Sequence, residues 1–253
     1  MAAGEVATPI EVRELDSVPD FREAVRLQKE IWGFDDIELL PLRLFVVAHK
    51  VGGQVLGAFD AGAMVGFLIA IPGVKHSSGG NLSFLHSHMM GVQAPYRNRG
   101  VGRMLKLAQR DDALARGIGL VEWTFDPLEL KNAYFNIERL GAVVCRYVLN
   151  QYGSTSSPLH GGLPTDRCVA EWHLSSDRVE RLLAGAAVPR AGILARVAVP
   201  TNIADLRRDS AARAREIQLG VSESFIENLR GGLIVSGFER GADHCSYLFS
   251  AVY

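Results

Sequence analysis

The sequence predicts an α/β fold of the α+β kind: a mixed central sheet flanked by helices, with an additional C-terminal strand-helix-strand-strand segment. Three observations carry this. Between Val55 and Val92, three apolar runs follow one another across short turns, one of them the hairpin signal Asp60-Ala-Gly. From Gly100 to Leu174, apolar residues at helical spacing alternate with short β-branched and aromatic runs. After Ser175 the order strand, helix, strand, strand comes a second time.

Each element has a local reason. Ile10 to Leu15 alternates as a half-buried strand. Asp16 and Ser17 offer caps for a helix from Pro19 to Trp32, and a shorter helix spans Leu39 to Lys50. Val55–Phe59 and Met64–Ile71 are strands, His76-Ser-Ser-Gly-Gly reads as a loop, and Leu82–Val92 is the third strand of the meander. A helix starts near Gly100, repeats Val101, Met104, Leu105 and Ala108 on one face, and ends at Arg116-Gly117. Leu120–Phe125 is a strand stopped by Asp126-Pro127. Asn132–Leu140 is a helix closed by Gly141, and Ala142–Leu149 is a strand. Gln151–Asp166, rich in Gly, Ser and Pro, is a long loop of the kind that often carries function, before a strand at Arg167–Leu174.

A boundary at Ser175–Arg190 separates an expected domain 1–175 from an extension 176–253. In the extension, Ile193–Val199 is a strand. A long helix then stacks Ile217, Val221, Phe225 and Leu229, and a hairpin of Leu233–Phe238 and Ser246–Val252 follows. Phe135 precedes Gly141 by the same interval as Phe225 precedes Gly231. A half-domain repeat and the common chemistry of a helix-glycine-strand junction both account for that.

A chain of 253 residues, 48% hydrophobic, supports a sizeable core. The net charge of −1 provides no basic field for nucleic acid or an anionic membrane. No apolar run reaches the ~18 residues of a spanning helix, and the N-terminus lacks a charged-then-apolar leader. The three cysteines, Cys145, Cys168 and Cys245, are scattered without metal spacing, which suits a reducing compartment. The expectation is a cytoplasmic protein with no metal, nucleic-acid or membrane partner.

The most telling stretch is Phe84–Gly102, a strand followed by Arg97-x-x-Gly100-x-Gly102. Glycines at 100 and 102 let the backbone approach a ligand closely. Their N–H groups open a helix, whose dipole favours an anion, and Arg97, Arg99 and Arg103 add positive charge. With its surrounding order of elements, the segment Gly91-Val92-Gln-Ala-Pro-Tyr-Arg97-Asn98-Arg99-Gly100-Val101-Gly102 resembles the GNAT superfamily of acyl-CoA-dependent N-acyltransferases, over residues 10–174. The resemblance implies the GNAT fold and an acyl-CoA co-substrate, acetyl-CoA first. Backbone groups of Met90, Gly91 and Val92 would pair with the pantetheine arm. The N–H groups from Arg97 to Gly102 would hold the pyrophosphate, with Arg103 beside them and Asn132 a further coenzyme contact. The wording also resembles a subfamily of predicted acetyltransferases with a C-terminal extension: Leu85-His-Ser-His-Met-Met-Gly-Val, Trp123-Thr-Phe-Asp-Pro, Asn132-Ala133, Asn136 and Tyr152-Gly153. Some of its members are associated with N-acylation of amino acids, succinyl transfer included.

An amine attacks a thioester only when neutral, so a base must take its proton. Period-two geometry predicts His86, His88, Met90 and Val92 on one strand face. Histidine titrates near neutrality. The place of His86 resembles that of the catalytic glutamate of histone acetyltransferases, and the pair resembles the His-x-His of arylalkylamine N-acetyltransferases. His86 is the expected base and His88 a second base or substrate contact, the alternative being buried structural histidines. Many GNAT members carry an acid tyrosine four residues before the glycine that ends this helix; here that position is Ile137. Tyr134 and Asn136 are the expected substitutes. Glu122, Asp126 and Tyr152 are weaker acceptor-side candidates, and Trp32 reads as core. Arg207, Arg208, Arg213 and Arg215 read as a solvated face.

The expected reaction is direct attack by a small amine or amino acid in a ternary complex. Acetyl transfer, succinyl or other acyl transfer, and a non-catalytic CoA-binding sensor or scaffold are the three readings. For the tail, a lid over the acceptor and a homodimer surface both stand open.

Overall fold

Ser17 accepts a hydrogen bond from the Asp20 N–H (3.3 Å) and starts the first helix, which Gly33 ends in the left-handed conformation. In the computed structural model, which describes residues 9–77, 79–153, 162–190 and 192–251, that helix packs on the first of two compact units. The units divide between Ile118 and Gly119.

The first unit runs β1 (Glu11–Glu14), α1 (Val18–Trp32), α2 (Leu42–Lys50), β2 (Gln54–Asp60), β3 (Ala63–Ser77), β4 (Gly80–Val92) and α3 (Val101–Ala115). Its strands pair antiparallel in the order β1-β2-β3-β4. Phe21, Leu27, Phe45, Phe67 and Ile69 form the core under α1 and α2, with Trp32 packed against it as the sequence suggests. Two short 3₁₀ turns, Asp36–Glu38 and Ala94–Tyr96, lie outside the expected elements, and α2 starts at Leu42 rather than Leu39. The expected loop at His76 is strand instead: β3 runs on to Ser77 and His76 pairs with Asn81. The His76 Nδ1 atom is 2.7 Å from Asn81 Oδ1, which explains why polar residues hold this end of the hairpin.

The second unit runs β5 (Leu120–Phe125), α4 (Leu130–Tyr134), β6 (Val143–Val148), β7 (Arg167–His173), α5 (Asp177–Leu183), β8 (Ile193–Pro200), α6 (Ile203–Asp209), α7 (Ala211–Arg230), β9 (Ile234–Arg240) and β10 (His244–Ser250). The predicted helix 132–140 is α-helical only to Tyr134 and continues as a π-turn over Phe135–Arg139. The single long tail helix is two, broken at Ser210. The strand order is β5-β7-β6-β9-β10-β8, and Val144 of β6 faces Val235 of β9. The stack of Phe225 on Tyr147, Tyr247 and Phe249 fills the core below these strands. Of the long loop predicted at 151–166, residues 154–161 lie outside the described residues, as does Val252 at the end of the predicted hairpin. Among the described residues, no helix is long and apolar enough to cross a membrane.

Candidate functional site

The strand-to-helix turn after β4 opens a helix with a run of unbonded backbone donors. Asn98 (φ +61°) and Gly100 (φ +86°) are both left-handed, and α3 starts at once at Val101. The first helical bond runs from the Met104 N–H to the Gly100 carbonyl (3.0 Å). Helix geometry therefore leaves the N–H groups of Val101, Gly102 and Arg103 without intrahelical partners. Val101 is buried and anchors the turn, while Gly102 leaves room beside it, with Met90 Cε 3.6 Å from where a Cβ would stand. The Arg103 Nε atom is buried and has no hydrogen-bond partner among the described residues. Arg99 lies over the Tyr96 ring (5.1 Å), and Tyr96 is held by Asp60 (2.8 Å).

Arg97 serves the frame. Its Nε donates to the Val92 carbonyl (3.1 Å), its Nη2 to that of Ile31 (3.4 Å), and its own N–H to Ala94 (3.3 Å). The open donors thus begin after Arg97.

Met90, Gly91 and Val92 pair with Leu68, Phe67 and Gly66 of β3. A Cβ on Gly91 would lie 2.5 Å from Trp32 Cη2 and 2.9 Å from Ile31 Cδ1, so nothing larger than glycine fits beneath α1.

Between His86 and Met90 the strand breaks its alternation. Ile69 pairs with Met89 and Ala70 with Ser87, leaving His88 as the extra residue of a β-bulge. The prediction that His86, His88, Met90 and Val92 share a face is therefore wrong. Ser87 faces α3, which turns His86 to the opposite face, and the His88 ring lies 5.9 Å from the His86 ring. Met90 and Val92 face α3: Met90 approaches Gly102, and Val92 shares its neighbourhood at Gly66 with Leu105. The inserted residue moves everything after it to the other face. Burial holds the His88 imidazole below its usual range, so it is neutral at pH 7 and able to accept a proton.

On the α3 side of β4 lies a group that the sequence reading missed. Lys106 is 3% exposed, and burial lowers its ammonium to about 7 from 10.5. Its signal was legible: Lys106 and Gln109 stand among Leu105 and Ala113 on the buried face of α3. Between pH 7 and 10.5 the unfolded chain holds a proton here that the native state has released. Stability from this site therefore rises with pH across that window, by a few kcal/mol in all at about 1.4 per unit. The melting temperature of Lys106→Met measured against wild type from pH 6 to 10 checks it. The variant's advantage should be largest below pH 7 and shrink as pH rises; a constant difference refutes the shift.

The second unit carries the remaining candidates. Asn132 is exposed, Tyr134 is half-buried with its ring 4.7 Å from the Arg240 guanidinium, and Asn136 is buried. Ile137 is wholly buried, so an apolar side chain suits that place. Glu122 is committed to Arg146 (2.6 Å). Tyr152 bonds Thr124 (2.9 Å) and lies near Arg167 (5.4 Å). Arg207 is not solvated: it is buried and grips Asp126 (2.6 Å) and Glu129 (2.8 Å), a partnership across 81 residues that no local pattern reveals. Arg208 and Arg213 are exposed, as expected. Among the described residues, no three His, Cys, Asp or Glu side chains are grouped to hold a metal ion.

No protein-family model matches the sequence, and no curated protein matches it. Solved structures do match. The ribosomal-protein-S18-alanine N-acetyltransferase of Escherichia coli superposes at TM-score 0.51 and 15% identity, over 66% of this chain and 96% of that one. A putative GNAT-family acetyltransferase from Desulfovibrio desulfuricans gives 0.52 at 15%, over 66% and 100%. A putative acetyltransferase, yncA, from Salmonella typhimurium, solved with its cofactor acetyl-CoA, gives 0.51 at 16%, over 72% and 98%. At such identities the likeness is one of fold. The chain has the GNAT fold with further C-terminal strands.

Proposed function

We propose that this chain is an acyl-CoA-dependent N-acyltransferase, with acetyl-CoA the first donor and a small amine or amino acid the acceptor. The observation that carries the reading is the cradle: left-handed Asn98 and Gly100, three helix-opening N–H groups and a buried Arg103 Nε without a hydrogen-bond partner among the described residues, within the GNAT fold. Arg99, Arg103 and those N–H groups would hold the pyrophosphate. Met90 to Val92 would line the pantetheine arm and Asn132 would add a contact. His86, with His88 beside it, would take the amine proton. The neutral amine then attacks the thioester carbon, the C–S bond breaks, and the CoA thiolate takes a proton from Tyr134 or is stabilised by a hydrogen bond from Asn136 until it picks one up from solvent. Cys168 and Cys245 are buried and Cys145 is half-buried, which supports direct transfer rather than an acyl-enzyme.

The proposed domain division is 1–175 with an extension 176–253, a different division from the two compact units that part after Ile118. What supports a half-domain repeat is the symmetric order β5-β7-β6-β9-β10-β8, its halves meeting at Val144 and Val235. Gly141 and Gly232, both at φ +81°, lie three residues before that pair. A cytoplasmic location fits three cysteines scattered along the chain.

Thiol release with acetyl-CoA and succinyl-CoA against an amine panel tests the reaction. Calorimetric CoA titration of Arg103→Ala tests the cradle. Affinity should fall by roughly 10-fold, the loss of one charge-assisted bond. Wild-type affinity in the variant removes Arg103 from the site, and tight CoA binding without turnover of any amine favours a sensor.

A further inference from the structure

Ser87 stands between the two histidines and faces away from them, toward α3. Its buried hydroxyl is 2.9 Å from Lys106 Nζ. The ammonium also donates to Gln109 Oε1 (2.9 Å). Gln109 in turn donates to Gln54 Oε1 (2.9 Å), and Gln54 to Asp112 Oδ2 (2.7 Å). Arg116 closes the series at the surface on Asp112 (2.7 Å). When protonated, Lys106 has only donors, so Ser87 Oγ and Gln109 Oε1 accept from it, and each amide is then oriented by its neighbour.

We propose that Lys106 is a positioning residue for the histidine pair: from the far face of β4 it holds Ser87, and through Ser87 the bulge that sets where His86 and His88 point. A bulge leaves one residue outside the ladder, so β3 alone does not determine the strand path at His88. The Ser87 side chain is the last group before that break, and its tether is itself braced by Gln109 and Gln54. Stability does not explain the arrangement. A methionine of similar length would fill the same space without burying a charge. A side chain kept at such a cost, bonded to the serine that stands one residue from each histidine, points to geometry that the reaction needs.

The proposal rests on the acyltransferase reading, so its test carries a readout independent of turnover. Lys106→Met, Ser87→Ala and the double variant are compared with wild type. The imidazole Hε1 resonances, assigned through His86→Gln and His88→Gln, should move in both single variants. With the best acyl-CoA and amine pair, kcat should fall between about 10-fold and 100-fold in each, as for a small misplacement of a reacting group. The KM for acyl-CoA should hold, and the double variant should be no slower than the slower single. Resonances and kcat matching wild type in Lys106→Met overturn the proposal, as does a double variant that loses the product of the single effects. If wild type acylates no amine, the functional reading fails, and the resonances alone decide whether Lys106 sets the histidine geometry.

Discussion

Replacing Arg207 by alanine lowers the unfolding free energy by about 3 kcal/mol, the low end for breaking a buried ion pair, because Arg167 stays 4.0 Å from Asp126. Arg207 is 8% exposed. Its Nη2 is 2.6 Å from Asp126 Oδ2, and its Nη1 is 2.8 Å from Glu129 Oε1. Asp126 also caps its own turn, accepting from the Leu128 N–H (2.8 Å), while Tyr247 donates to the Pro127 carbonyl (2.6 Å). Two parts of the tail, α6 and β10, therefore grip the turn that leads into α4 and its candidates Asn132, Tyr134 and Asn136. Urea unfolding followed by tryptophan fluorescence checks the magnitude. Exposed Arg213→Ala, which loses a surface pair with neighbouring Glu216, should cost no more than about 0.5 kcal/mol. Equal losses in the two variants would contradict the buried clamp.

Replacing His86 by alanine lowers kcat by about 10²- to 10⁴-fold, the range of general-base catalysis. The pH profile tells the two histidines apart. Burial holds the His88 imidazole below the usual histidine value of 6.5. A base is active only when unprotonated, so rate rises with pH through its midpoint and then levels. If His88 were the base, the acid limb of kcat would lie below 6.5 and persist in His86→Ala. If His86 is the base, the limb disappears with it. Unchanged turnover in His86→Ala passes the role to His88.

Much of this was legible along the chain. The meander, the α3 face and the Gly100 turn follow from period, β-branching and turn chemistry, all of which act within a few residues. The GNAT resemblance rests on the same local wording, and the fold agrees with it. What escaped was nonlocal. Nothing in Leu85-His-Ser-His-Met announces a bulge, because an alternating pattern predicts a regular ladder and only pairing with β3 reveals the inserted residue. The π-turn at Phe135–Arg139 hid in the same way inside an ordinary helical stretch.

The sequence alone thus determined the order of the strands and the glycine turn that opens α3, since propensity, spacing and glycine conformation are written in neighbouring residues. Tertiary structure alone decided which face the histidines take and which charged residues are buried. Lys106 meets Ser87 and Arg207 meets Asp126 only after distant segments pack, and whether a charge is solvated or buried is a property of that packing.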